Sequence, residues 1–168
     1  VVRNEYEKYV RERSDLMTTN IFPTVWIELS LPGSPRYVLG CAYREWGNGP
    51  SKHVEAQIGR LNTLKEQLLK STTGSSTVWL AGDWNLDLSQ CDDPGWPLKS
   101  VALKFTEIRE SAGLKIKRVG PTYTYRKDND IRSSELDFFL TNNSDPDEVP
   151  SSVISCGFSD HDCARVEL

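Results

Sequence analysis

Thr77-Val78-Trp79-Leu80-Ala81-Gly82-Asp83-Trp84-Asn85 runs from a continuous apolar stretch directly into a polar turn. Positions 77–81 show no polar alternation, as in a strand buried on both faces. Gly82 ends the run, and Asp83 and Asn85 follow two positions apart, on one side of an extended chain. Layered α/β folds collect their sites just past strand ends. A carboxylate and an amide delivered together to such a rim can orient a water and donate to a phosphoryl oxygen. Taken alone, the segment reads more readily as an ordinary Asp/Asn turn.

Working outward, Thr24–Leu29 and Tyr37–Tyr43 have strand composition and are joined by a Pro- and Gly-containing turn at Leu31–Pro35, which predicts an antiparallel hairpin. Gly47–Pro50 breaks the chain and Ser51 is a candidate N-cap. Val54, Ile58, Leu61, Leu64, Leu68 and Leu69 then recur at helical spacing as far as Lys70. A long Asp-, Pro- and Gly-rich loop covers Trp84–Pro97. Val101, Leu103, Phe105, Ile108 and Ala112 predict a second helix, stopped by Gly113. Leu114–Val119, Leu136–Leu140, Ser152–Ser155 and Ala164–Leu168 predict four further strands. The fold expected is a single α/β domain over residues 1–168, a layered α/β sandwich with mixed sheets.

Composition bounds the function. The 168 residues carry a net charge of −4, with 38% hydrophobic and 26% charged residues. That is globular rather than disordered, no apolar run approaches the ~20 residues of a membrane span, and bulk positive charge for coating nucleic acid is missing. Cys41, Cys91, Cys156 and Cys163 form no C-x-x-C pair, so zinc is not expected. With no secretory leader at the front, four reduced thiols and an intracellular location are expected, and the Asn142-Asn143-Ser144 sequon reads as chance. The chain opens at Val1 and its only methionine is Met17, which leads to the expectation of a polypeptide cut from something longer.

Two further clusters carry chemistry. In Ser134-Glu135-Leu136-Asp137-Phe138-Phe139-Leu140 one carboxylate interrupts an apolar strand. Buried, it needs a partner; on a solvent-facing side it needs none, and both readings stand. Ser159-Asp160-His161 supplies a histidine that, paired with Asp137, would make an Asp–His dyad, with Asp160 beside it as a hard oxygen ligand. His53, at the start of the first helix, reads as a surface histidine. Lys99, Lys104, Arg109, Lys115, Lys117 and Arg118, extended by Arg126, Lys127 and Arg132, form a locally basic stretch that suits either DNA or a solvated face.

In this order, Gly82-Asp83-Trp84-Asn85, Ser134–Leu140 and Ser159-Asp160-His161, together with Tyr43-Arg44 after the second strand, resemble the endonuclease/exonuclease/phosphatase superfamily. Val25–Leu29, Tyr43-Arg44-Glu45 and Arg165–Leu168 are most similar to the endonuclease domain of a non-LTR retrotransposon. The resemblance implies metal-dependent phosphodiester hydrolysis, with DNA nicked, Mg2+ or Mn2+ as cofactor, a linked reverse transcriptase and a nuclear location. It implies that His161, oriented by Asp137, contacts the scissile phosphate or acts as general base. Asp83 would position the attacking water, Asn85 would stabilise the transition state, and Asp160 would help hold the metal. Tyr43, Thr122 and Thr124 would touch substrate. The family's first strands, which bear an Asn and the main metal-ligand Glu, have no match. Glu5, Glu7 and Glu12 lie outside such a context, so the domain is expected to be N-terminally truncated and weakly active or inert on its own. The alternatives are a phosphoesterase of the same superfamily acting on abasic DNA, inositol phosphates or lipids, or a non-catalytic binding module.

Overall fold

A computed structural model describes residues 4–17, 21–45, 52–127 and 130–168. Its main sheet contains β1 (Val10–Glu12), β2 (Thr24–Leu29), β3 (Tyr37–Tyr43), β4 (Thr77–Asp83), β5 (Lys115–Lys117) and β8 (Asp137–Thr141). Their spatial order is β1-β2-β3-β4-β8-β5. Only β3 and β4 run parallel; β4–β8, β8–β5, β2–β3 and β1–β2 are antiparallel. The parallel pair requires a crossover, and α1 (Lys52–Ser71) provides it. A second helix, α2 (Lys99–Ser111), packs beside α1. Two small antiparallel pairs complete the fold: β6 (Tyr123–Lys127) with β7 (Asp130–Ser134), and β9 (Ser151–Ile154) with β10 (Cys163–Val166).

The core follows from the periodicities. Leu61, Leu64 and Leu68 of α1 and Val101, Phe105 and Ile108 of α2 are fully buried against Trp26, Val38, Val78, Leu80, Phe138 and Leu140 of the sheet. Trp79 points to the opposite face and meets Phe139 edge-on at 6.2 Å. Thus β4 is covered on both faces through Leu80, as its unbroken apolar run predicts. Gly113, in the left-handed region at φ +67, stops α2.

The structure corrects three expectations. β4 continues to Asp83, so the polar turn is the end of the strand itself. The loop expected before the Asp137 strand holds the β6–β7 hairpin; Thr124 and Tyr125 there are exposed, and the alternation is too polar to signal a strand by burial. Val10–Glu12, which has no apolar pattern, is an edge strand held by backbone pairing to β2, with Glu12 opposite Ile27. Ser51 and Gly47–Pro50, and the side chain of His53, lie outside the described residues.

Gly40 is where β3 lets the core close. A Cβ there would lie 2.6 Å from Trp26 Cε3 and 2.7 Å from Leu80 Cδ1, both on fully buried side chains. Gly40→Ala is therefore expected to destabilise the fold by about 1–3 kcal/mol, read as a lower urea midpoint with unchanged slope; an unaltered midpoint would show that the Trp26 packing is looser than described.

Candidate active site

The β4–β8 ladder delivers two carboxylates to one place: Asp83 and Asp137 are register partners at its end. His161 completes the group, and one ligand atom from each of the three lies within 4.8 Å of the others. All three are half-buried. His161 Nδ1 is 2.8 Å from Asp137 Oδ2. Asp137 therefore faces a partner, not open solvent, which decides between the two readings of the Ser134–Leu140 strand.

Neighbouring elements hold each member. Gly82 leaves room for Trp84 to fold back over the sheet; a Cβ at Gly82 would lie 2.6 Å from the Trp84 ring. Trp84 is fully buried, stacks on Phe138 at 5.6 Å, and donates its indole N–H to the Phe138 carbonyl at 2.9 Å. Sinking Trp84 turns Asp83 and Asn85 outward. Asn85 adopts φ +48, a left-handed conformation that Asn tolerates better than most residues. Its backbone N–H donates to Asp83 Oδ1 at 3.1 Å, and its Nδ2 donates to the Arg44 carbonyl at 2.8 Å.

Arg44 is the residue whose importance the sequence concealed. It directly follows β3, is 2% exposed, and its guanidinium donates to the Trp84 and Asn85 carbonyls and to Gln57 Oε1 of α1. Burial pulls it down to about 10, against the opposing charge of Asp83. It remains a cation at neutral pH and fastens the Asp83–Asn85 turn to β3 and α1 at once.

Around Asp137, Thr122 donates its hydroxyl to Oδ2 at 2.6 Å and accepts the Asp137 backbone N–H at 3.2 Å. Thr122 is 2% exposed, so it orients Asp137 where a phosphate contact was expected; Thr124 is exposed on β6. Glu135 Oε1 accepts the N–H groups of Val119 and Gly120, and Oε2 pairs with Arg118 at 2.9 Å, fixing the turn that leads to Thr122. Nothing in the spacing of Glu135 marks it for this task. The His161 loop is pinned in turn: Asp162 N–H donates to the Thr122 carbonyl at 2.7 Å, and His161 bridges to Tyr123.

Charge follows geometry. Burial, then the nearby negative charge of Asp137, pushes the Asp83 carboxyl above the usual carboxylate range. Burial pulls His161 down, but the Asp137 hydrogen bond and the charges of Asp137, Asp83 and Asp160 outweigh it, and the imidazole is raised above 6.5. Asp160 itself is exposed and outside the three-residue group, and lines a neighbouring cavity with Asn85, Trp96, Tyr123 and His161. Tyr43 is 49% exposed and lines a second cleft of about 500 Å3 together with Asp83, Asp137 and His161.

The basic stretch does not form one free surface. Lys117 is 5% exposed and reaches the Asp147 carbonyl, Lys104 pairs with Glu107, Lys115 with the Ser144 carbonyl, and Arg109 with Glu110 and the Leu114 carbonyl. The side chains of Arg126 and Lys127 lie outside the described residues; Arg132 is exposed on β7.

No family model matches the sequence, and no curated protein sequence matches it. Solved structures do match in fold. The endonuclease domain of TRAS1, a telomere-specific non-LTR retrotransposon, superposes with a TM-score of 0.63 at 18% identity, over 96% of this chain and 68% of its own. A beta toxin from Staphylococcus aureus gives 0.57 at 14% identity, over 86% of this chain and 56% of its own. The 3′ phosphatase NExo from Neisseria, bound to a product DNA hairpin, gives 0.58 at 18% identity, over 84% of this chain and 63% of its own. This chain thus spans between about half and two-thirds of the length of these proteins. With the mixed sheet and the strand-end site, these likenesses show that the chain has the endonuclease/exonuclease/phosphatase fold.

Proposed function

We propose that the chain carries the phosphate-handling half of a metal-dependent phosphodiesterase that nicks DNA, of the retrotransposon endonuclease type. The observation that carries this reading is the convergence of Asp83, Asp137 and His161 within 4.8 Å at one strand-end rim. The likenesses to the TRAS1 endonuclease domain and to NExo, bound to a product DNA hairpin, support DNA as the substrate; a nuclear site of action and a linked reverse transcriptase are part of the same proposal.

The roles follow from the hydrogen bonds. With Nδ1 engaged by Asp137, His161 keeps Nε2 for the reacting proton. It takes the proton of a water whose oxygen attacks phosphorus while the bond from phosphorus to the leaving sugar oxygen breaks. Asp137 steadies the imidazolium that forms. Asp83 orients the water, and Asn85 Nδ2, which gives one N–H to the Arg44 carbonyl, donates its other N–H to a phosphoryl oxygen. Tyr43 flanks the bound phosphate.

The donor set suits a hard divalent cation: two carboxylates meet at close range in a half-buried site, where a cation would offset both the burial and the repulsion that raise Asp83. Asp83 and Asp137 would hold Mg2+ or Mn2+, with Asp160 reaching it through water; the ion would neutralise charge building on the phosphoryl oxygens. Among the described residues no third carboxylate joins them. Glu12 ends β1, separated from β4 by β2 and β3. Low activity is therefore expected of the 168 residues alone, and higher activity from the chain extended upstream through its natural reading frame.

Two measurements test the proposal. The extended chain should nick supercoiled plasmid in Mg2+, and His161→Ala should lower the rate by about 10²–10⁴-fold; equal rates would remove His161 from the reaction. Release of inorganic phosphate from small phosphomonoesters, without nicking, would point instead to a phosphomonoesterase. Second, the His161 imidazole, followed by NMR in metal-free protein, should titrate above 6.5, and lower in Asp137→Asn than in the wild type. A raised folded-state value means that this pair contributes stability below pH 6.5 and loses it as pH rises through the folded-state value. Coincident titrations in the two proteins would contradict the dyad.

A further inference from the structure

Three of the four cysteines, Cys41, Cys156 and Cys163, line the same cleft as Asp83, Asp137 and His161. Two of them are neighbours across the base of the loop that carries His161. Cys163 opens β10 and pairs in register with Ile154, the last residue of β9; Cys156 lies two positions beyond Ile154. The Cys163 thiol donates to Cys156 Sγ at 3.9 Å, and six residues separate the two in sequence. Between them run Gly157, Phe158, Ser159, Asp160, His161 and Asp162.

We propose that Cys156 and Cys163 form a reversible disulfide that clasps the His161 loop. The oxidant is a low-molecular-weight disulfide, RSSR. Cys163, the more exposed of the two, attacks first as its thiolate, forming a mixed disulfide and releasing one RS⁻. The Cys156 thiolate then attacks Cys163 Sγ, the protein disulfide forms, and the second RS⁻ leaves. Two protein thiols are oxidised, one RSSR is reduced to two thiols, and the two thiol protons pass to the departing thiolates.

The geometry allows the last step. A disulfide needs its sulfurs about 2.05 Å apart, so they must draw together by a little under 2 Å. The segment between them can absorb that movement. Gly157 has no heavy atom within 4 Å of where a Cβ would stand, and Phe158 is 93% exposed. The movement is felt at the site, because the Cys156 N–H donates to Asp162 Oδ1, and Asp162 N–H is bonded to the Thr122 carbonyl beside Asp137. Closing the disulfide therefore shifts His161 relative to Asp137, whatever reaction the pair performs.

The test uses the 168-residue chain at pH 8 with oxidised glutathione, read by intact mass and non-reducing peptide mapping. The expected product has lost two hydrogens, links Cys156 to Cys163, forms equally in Cys41→Ser and Cys91→Ser, and reverts with dithiothreitol. Cys163→Ser should instead retain any glutathione it takes up on Cys156. The backbone amide resonances of residues 159–162 should shift between reduced and oxidised wild type. Stable glutathione adducts on both cysteines, a bond to Cys41, or unchanged amide resonances over residues 159–162 in the linked protein would each overturn the proposal. The bond is read by mass, so a failure of the nuclease reading leaves this result intact and distinguishable.

Discussion

Asp83 and Asp137 face each other across the antiparallel β4–β8 ladder, and like charges placed directly opposite in a sheet repel. Half-burial makes this worse, because water no longer screens the pair fully. Burial first, and then that repulsion, raise the Asp83 carboxyl above the usual carboxylate range. Much of the surrounding structure compensates for it. His161 sets an imidazole against Asp137, Thr122 caps the same oxygen from beneath, and the Asn85 backbone N–H binds Asp83. Arg44 adds a buried cation behind the Asp83 turn.

These compensations form two chains of support that meet at the rim. One runs from α1 through Gln57 and Arg44 to the Trp84–Asn85 carbonyls, and is anchored by Trp84 in the core. The other runs from Glu135 through the Val119–Gly120 turn to Thr122, and then to both Asp137 and the loop of His161. Each chain connects hydrophobic packing to the position of a charged atom. A core change at Trp84 or Phe138 should thus reach the site without touching it, and the Cys156–Cys163 pair reaches it through the second chain.

The sequence made the frame legible because apolar periodicity reports burial. The β2–β3 hairpin, α1, α2, β4 and β8 were all readable that way, as was the association of Asp137 with His161 once a buried carboxylate was seen to need a partner. Three features left no such signal. β1 and the β6–β7 hairpin are held by backbone pairing, which is indifferent to side-chain hydrophobicity. Arg44 enters the sequence reading only as part of the Tyr43-Arg44 match, without a role, because its burial depends on carbonyls 40 positions away. Thr122 reads as a polar loop residue, and only the tertiary fold shows that its hydroxyl serves Asp137.

A site kept at the expense of stability makes the central claim directly measurable. Asparagine at position 83 keeps an oxygen for the Asn85 N–H but removes the negative charge opposing Asp137. The measurement is the denaturation midpoint of metal-free Asp83→Asn against wild type at pH 7, with and without Mg2+. The account predicts that the variant is more stable without metal, because Asp83 is raised in the folded state and its ionisation opposes folding. It also predicts that Mg2+ stabilises the wild type more than the variant. A less stable Asp83→Asn protein, with Mg2+ acting alike on both, would contradict the claim that the fold holds two repelling carboxylates together to bind a cation.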